Sequence, residues 1–198
     1  MPTSRRLFLA ASGQALGAGW LALNWPKISA AAMHAHDSAT VPEPRILILN
    51  PAQTRDFDAI ASQIIPTDDT PGAHEAGTVY FMDAALGGFF SAHRAEVLSG
   101  HSEFVAAFAK QFPGASFAES TSERQIEFLK SVDSTPFFQN MRFLTVLGFL
   151  AHPKYGGNRE FAGWKLVGYP GPRHHLGGYT PDQLLGRAKI KAVWGADL

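Results

Sequence analysis

The chain has 198 residues, 45% of them hydrophobic and 17% charged, with 17 basic and 17 acidic side chains and no cysteine. That length suffices for one domain that buries its own core without staples. The missing cysteines exclude disulfides, thiolate metal sites, iron–sulfur clusters and a Cys-x-x-Cys-His haem attachment, and no basic tail or stripe points to nucleic acid.

Residues 1–32 read as an address and stay outside the fold argument. Ser4-Arg5-Arg6-Leu7-Phe8 carries two adjacent arginines followed by apolar residues, the pattern of a twin-arginine export signal. The apolar run that follows, to about Trp25, is diluted by Gly13, Gln14, Gly17, Gly19 and Asn24, which weakens insertion as a membrane anchor. Pro26 breaks it, and Ala30-Ala31-Ala32 offers an Ala-x-Ala cleavage site. Without Arg5, Arg6 and Lys27 the remainder holds 14 basic and 17 acidic residues, a net charge of −3. Residues 33–44, with Pro42 and Pro44, read as a flexible arm. His34 and His36 on it lack a third metal ligand. Residues 45–198 are expected to form one helical domain.

Within it, Arg45 to Leu49 is a short apolar run, either an edge strand or an extended packing segment. Asn50-Pro51-x-Gln53 has the composition of a capping box, with proline at the first helical position. Phe57, Ile60, Ala61, Ile64 and Ile65 then give the buried stripe of a helix that ends at Pro66. Residues 66–72 are turn-rich, and the adjacent Asp68 and Asp69 fit backbone-amide capping better than catalysis. A second helix is predicted over 75–86, with Val79, Met82 and Leu86 on its inner face, closed by Gly87 and Gly88. A third spans 91–112, with Val97, Phe104, Val105, Phe108 and Phe112 inward and a break at Gly100. A fourth spans 122–132, with Ile126, Leu129 and Val132 inward and Thr121 or Ser122 as cap. Residues 136–152 form the most apolar helix, which should be central.

Gly148 to Pro172 interleaves five glycines after residue 155 with Tyr155, Phe161, Trp164 and Tyr169. Glycine permits unusual backbone angles and aromatics give contact area with few rotatable bonds, so this reads as an ordered loop with a role. His174 and His175 are adjacent and make a weak metal pair. Thr180-Pro181 starts a last short helix, with Leu184, Leu185, Ala188 and Val193 as its stripe. The fold class is therefore all-α, a small irregular helical bundle with a long Gly/aromatic-rich loop region. No Gly-x-Gly-x-x-Gly follows a strand, so no dinucleotide or flavin fingerprint is present.

Three blocks carry a family resemblance. They are the twin-arginine start, then Ile64-Ile65-Pro66-Thr67-Asp68-Asp69 through Asp83, then Gly148-Phe149 through His152-Pro153-Lys154-Tyr155-Gly156-Gly157-Asn158 to Gly163-Trp164-Lys165-Leu166-Val167-Gly168-Tyr169-Pro170-Gly171-Pro172. With these, the chain resembles the gluconate 2-dehydrogenase subunit 3 family, the small or gamma subunits of membrane-bound flavin-dependent sugar dehydrogenases. The resemblance covers roughly residues 45–175. It implies a non-catalytic subunit without a cofactor of its own. FAD would sit in a large flavoprotein partner and haem c in a multi-haem cytochrome partner. It also implies that this chain carries the large subunit through the twin-arginine translocase to the periplasm, where the complex is peripheral to the inner membrane. The family supplies no catalytic residues. Arg5, Arg6 and Phe8 are then the export signal, and Tyr155, Gly156, Gly157, Asn158, Arg159, Trp164, Lys165 and Tyr169 are the candidate partner-binding residues. Two other readings compete: a stand-alone periplasmic sugar-binding module using its aromatics, and a metal-dependent hydrolase using Asp68, Asp69, His74, Glu75 and His152.

Overall fold

The structure is a computed structural model that describes residues 45–172 and 180–198. The export signal with Arg5, Arg6 and Phe8, the arm at 33–44 and the His174–His175 pair lie outside the described residues. Among those described, the chain is all-α, as the periodicities predict: α1 Pro51–Ile64, α2 Thr78–Gly87, α3 Arg94–Gln111, α4 Ser122–Ser131, α5 Pro136–Leu150, α6 Ala162–Val167 and α7 Pro181–Leu184. Single 3-10 turns lie at Ser91–His93, Pro153–Tyr155 and Arg159–Phe161. The only β feature among these residues is an isolated bridge between Lys191 and Asp197.

Helix α1 starts where its local chemistry says it should. Asn50 accepts from the Gln53 backbone N–H at 2.9 Å while Gln53 accepts from the Asn50 N–H at 2.9 Å. These are two orphan donors of the first turn satisfied reciprocally. The preceding run is the extended packing segment, not a strand. The carboxylate of Asp83, 1% exposed on α2, accepts the backbone N–H groups of Leu47, Ile48 and Leu49, each at 2.8 Å. Charge-assisted bonds of this kind are about twice as strong as neutral ones, so Asp83 takes the place of a neighbouring strand.

Helix α2 begins three residues later than predicted. Residues 73–77 form a turn, and Gly77 enters the helix at φ +66°, a left-handed angle that ends the turn and reorients the chain. Helix α3 runs unbroken through Gly100, where an added Cβ would sit 2.8 Å from Phe137 Cβ. The glycine is a packing contact between α3 and α5, not a break. Val105 is exposed, while Val97, Phe104 and Phe108 are buried. In α4, Ile126 is exposed and the inward face is Gln125, Phe128 and Leu129. The inward position next to Leu129 goes to Phe128 because its ring completes a cluster. Phe128 lies 5.0 Å from both Phe104 and Phe108 at 71° and 84°, the edge-to-face geometry aromatic pairs prefer.

Helix α5 is central and packs against α1, α2, α3 and α6. Met141, Leu144 and Phe149 on it are fully buried. The predicted stripe of the last helix does not form. α7 has four residues, Leu184 and Leu185 are 70% and 65% exposed, and Ala188 and Val193 also face solvent. Its Thr180–Gln183 capping box forms nonetheless.

Candidate functional site

Helix α5 stops at Leu150 and leaves carbonyls without intrahelical partners. Two side chains from the Gly/aromatic stretch fill this gap. Trp164 Nε1–H donates to the Leu150 carbonyl at 2.7 Å, and Asn158 Nδ2–H donates to the Ala151 carbonyl at 2.7 Å. Asn158 Oδ1 in turn accepts the Gly163 N–H at 2.8 Å, so one amide ties the end of α5 to the start of α6. Asn158 is fully buried and adopts φ +50°. Asparagine tolerates this angle better than most residues.

The stretch lies very close to α5. A Cβ on Gly163 would overlap the Phe149 carbonyl oxygen, and one on Gly157 would overlap the Gly148 carbonyl oxygen. Glu160 and Phe161 also take left-handed angles, φ +56° and +58°. Such angles cost about 1–3 kcal/mol each in non-glycine residues and cluster at functional segments. The stretch also fastens to the turn before α2. Arg159 N–H donates to the Ala76 carbonyl at 3.0 Å, and its guanidinium carbon lies 4.2 Å above the Tyr80 ring centroid. An added Cβ at Gly77 would sit 2.6 Å from Arg159 Nε. Thus the 64–83 and 148–172 sequence blocks meet in space. Beside them Thr78, fully buried, keeps its Oγ1 without a protein partner.

The structure sorts the candidate partner-binding residues into two sets. Gly157, Asn158 and Trp164 face inward, and the last two make the bonds just described. Gly156 packs on Tyr80. Lys165 and Tyr169 are exposed, and Tyr155 and Arg159 are half-buried. Tyr169 sets its ring edge against Trp164 at 5.2 Å, and Lys154 Nζ lies 5.0 Å above the Tyr155 ring. Tyr80 and Lys154 belong to the same surface and were not singled out by sequence. Tyr80 reads only as a flank of the apolar stripe of α2, and its role depends on a residue 79 positions away. From the far end, Trp194 approaches Phe161 at 6.1 Å, and Val193 N–H donates to the Pro170 carbonyl at 2.8 Å.

The residues of the hydrolase reading are dispersed into local tasks. Asp68 accepts the Thr70 N–H at 2.9 Å in a turn, and His74 Nδ1 pairs with Asp58 at 2.6 Å. Glu75 accepts the Thr67 hydroxyl at 2.6 Å and the Gly72 N–H at 2.8 Å. The Thr67 hydroxyl in particular holds its carboxyl below the usual range. His152 Nδ1 accepts from the Lys154 N–H at 3.2 Å. Among the described residues no three His, Asp or Glu side chains group as a metal site. Elsewhere, an open depression of about 320 Å³ lies between the start of α1 and α3, where His101 pairs with Asp56 at 2.8 Å. Two protein faces of His101, Phe57 and Phe137, are apolar, which makes the pair a core tie between α1 and α3. No helix among the described residues is long and apolar enough to cross a membrane.

The site is thus a rigid, internally bonded surface segment with exposed aromatics and cations, formed where the 64–83 and 148–172 blocks join. No curated protein and no solved structure matches the chain. The family model for gluconate 2-dehydrogenase subunit 3 matches residues 51–171, a span that contains the 64–83 block, the 148–172 block up to Gly171, and every bond described between them. The chain belongs to the gluconate 2-dehydrogenase subunit 3 family.

Proposed function

We propose that this chain is the non-catalytic small subunit of a periplasmic, membrane-associated flavoprotein dehydrogenase complex. It binds the large FAD-containing subunit, stabilises it and escorts it through the twin-arginine export system. Electrons leave the flavoprotein to a multi-haem cytochrome c subunit, so neither cofactor resides here. The observation that carries the reading is the wiring of residues 148–172. Asn158 and Trp164 fix the segment to the end of α5 from inside, while Lys165 and Tyr169 are exposed on it and Tyr155 and Arg159 are half-buried at its surface. A segment held in one conformation before contact loses little freedom on binding, and Tyr and Arg are enriched at protein interfaces. The twin-arginine signal carries folded cargo, which explains why docking would precede export.

Co-expression with the large flavoprotein subunit tests this. Deletion of the small subunit should leave the flavoprotein in the cytoplasm and lower its activity. Normal export and full activity would sink the escort role. Changing Arg5 and Arg6 to Lys should retain both proteins in the cytoplasm. Unaffected export of the large subunit after that change would refute the carrying part of the proposal.

A further inference from the structure

We infer that Tyr80, Lys154, Tyr155 and Arg159 form a preorganised cationic patch that receives an acidic surface of the flavoprotein subunit. This rests on the proposed role above and adds the chemistry of the contact. Arg159 lies over Tyr80 and Lys154 over Tyr155, at 4.2 and 5.0 Å from the ring centroids. The two pairs adjoin, because Gly156 packs its backbone against Tyr80, with an added Cβ 3.3 Å from Tyr80 Cβ. Neither cation has a carboxylate within ion-pair distance among the described residues. There the ion pairs use His74, His93, His101 and Arg187 as cations.

Three facts separate this patch from ordinary solvated lysines and arginines. First, the 148–172 stretch holds Lys154, Arg159 and Lys165 but one acid, Glu160, within a chain that has 17 basic and 17 acidic residues in all. Second, Arg159 is held at both ends. Its backbone N–H donates to Ala76 and its side chain fills the space that Gly77 leaves open. Third, the residues on either side of it, Asn158 and Glu160, are held at φ +50° and +56°. Strained backbone of this kind persists where the surrounding structure imposes it, commonly at ligand clamps. A cation stacked on a ring keeps its charge outward and available. Its fixed position means that less side-chain freedom is lost when a carboxylate arrives. The complementary surface is therefore acidic, and electrostatic complementarity of this type sets encounter rate and register.

The test uses the full mature chain and the intact flavoprotein subunit, with affinity measured at several salt concentrations. Wild-type affinity should fall at least tenfold between about 50 mM and about 500 mM salt, as screening shortens the reach of the charges. Arg159→Glu and Lys154→Glu should each weaken binding about tenfold or more. Arg159→Gln keeps length and hydrogen-bonding without charge and should weaken it less, and Arg159→Lys should retain most of it. Lys130→Glu, a charge reversal on α4, should leave binding unchanged. Circular dichroism and melting temperature show that each variant is folded. If the wild type binds but both charge reversals bind within about twofold of it, the patch is not the contact and the proposed role stands. If the reversals instead abolish binding to phosphatidylglycerol vesicles and leave flavoprotein binding intact, the patch serves a lipid surface and the inference is overturned. Failure of the wild type to bind the flavoprotein at all would overturn both.

Discussion

The indole N–H of Trp164 closes the C-terminal end of α5 by donating to the Leu150 carbonyl at 2.7 Å, with the ring itself only 5% exposed. An interior hydrogen bond therefore dictates the position of a residue whose type suggests surface recognition. Trp164→Phe keeps the apolar ring and removes the donor, leaving a part-buried carbonyl without its protein partner. It should lower stability by about 1–3 kcal/mol, read as a fall in the midpoint of urea unfolding at unchanged slope. Asn158→Asp should cost at least as much, because a carboxylate cannot donate to Ala151. Asn158→Gly relieves the left-handed angle yet loses both bonds, so it should also destabilise. A stabilising Asn158→Gly would show that backbone strain outweighs the amide's bonds.

Asp83 holds three successive N–H groups of residues 47–49 and is almost fully buried. Asp83→Asn keeps the shape but loses the charge and turns one acceptor into a donor facing N–H groups. A loss of about 2–4 kcal/mol is expected, from weakened charge-assisted bonds and an opposed donor. Limited proteolysis should then cut near Arg45 well before the helices. Cleavage at the wild-type rate would mean that Leu49, buried in the core, anchors this segment on its own.

Gly163 lies where no side chain fits, since an added Cβ would overlap the Phe149 carbonyl oxygen. Backbone cannot yield as a flexible side chain does. Gly163→Ala should therefore separate α6 from α5 and unfold or severely destabilise the chain, by more than about 3 kcal/mol. Gly114, at φ +77°, has nothing within 4 Å. Gly114→Ala should show only the left-handed cost, about 1–2 kcal/mol. Thermal melts of the two variants side by side measure the difference between a steric and a conformational requirement.

The Glu75 carboxyl is held below its ordinary range, first by the Thr67 hydroxyl and also by the Gly72 N–H. Its folded value lies below its unfolded value, so it contributes stability at neutral pH. That contribution is present above the unfolded value, near 4.5, and disappears as pH falls through the lower folded value. The group is largely exposed, so the effect is small. Glu75→Gln should be slightly less stable than wild type at pH 7, with the gap narrowing as pH falls below the unfolded value. Parallel stability curves from pH 7 to pH 3 would contradict the assignment. The same variant should leave partner binding unchanged, because Glu75 bonds to its own loop.

Much of the helical layout was legible from residues that act on their immediate neighbours. Asn50 and Gln53 announce the start of α1, and Thr180 with Gln183 the start of α7, because a capping box closes within three residues. The apolar surround of α5 announces a central helix in the same way. The Gly/aromatic composition of 148–172, with the Ile64–Asp83 block, was enough to indicate the family. What lay beyond the sequence depends on partners far along the chain. Ile126 faces out because Phe128 meets Phe104 and Phe108. Residues 75–77 leave the predicted helix where Gly77 turns left-handed beneath Arg159. Periodicity counts apolar positions but does not say which ring another helix will receive.

The Gly148–Pro172 stretch divides along the same line. Its composition determined that it is ordered and bears contact-forming side chains. Only the tertiary structure decided which of them face out. Asn158 and Trp164 turn inward because the end of α5 leaves two part-buried carbonyls that need donors, and both side chains supply one at 2.7 Å. With those two fixed inside, Tyr155, Arg159, Lys165 and Tyr169 remain at the surface, and Arg159 finds Tyr80 across 79 residues of chain because both blocks pack on the same end of α5.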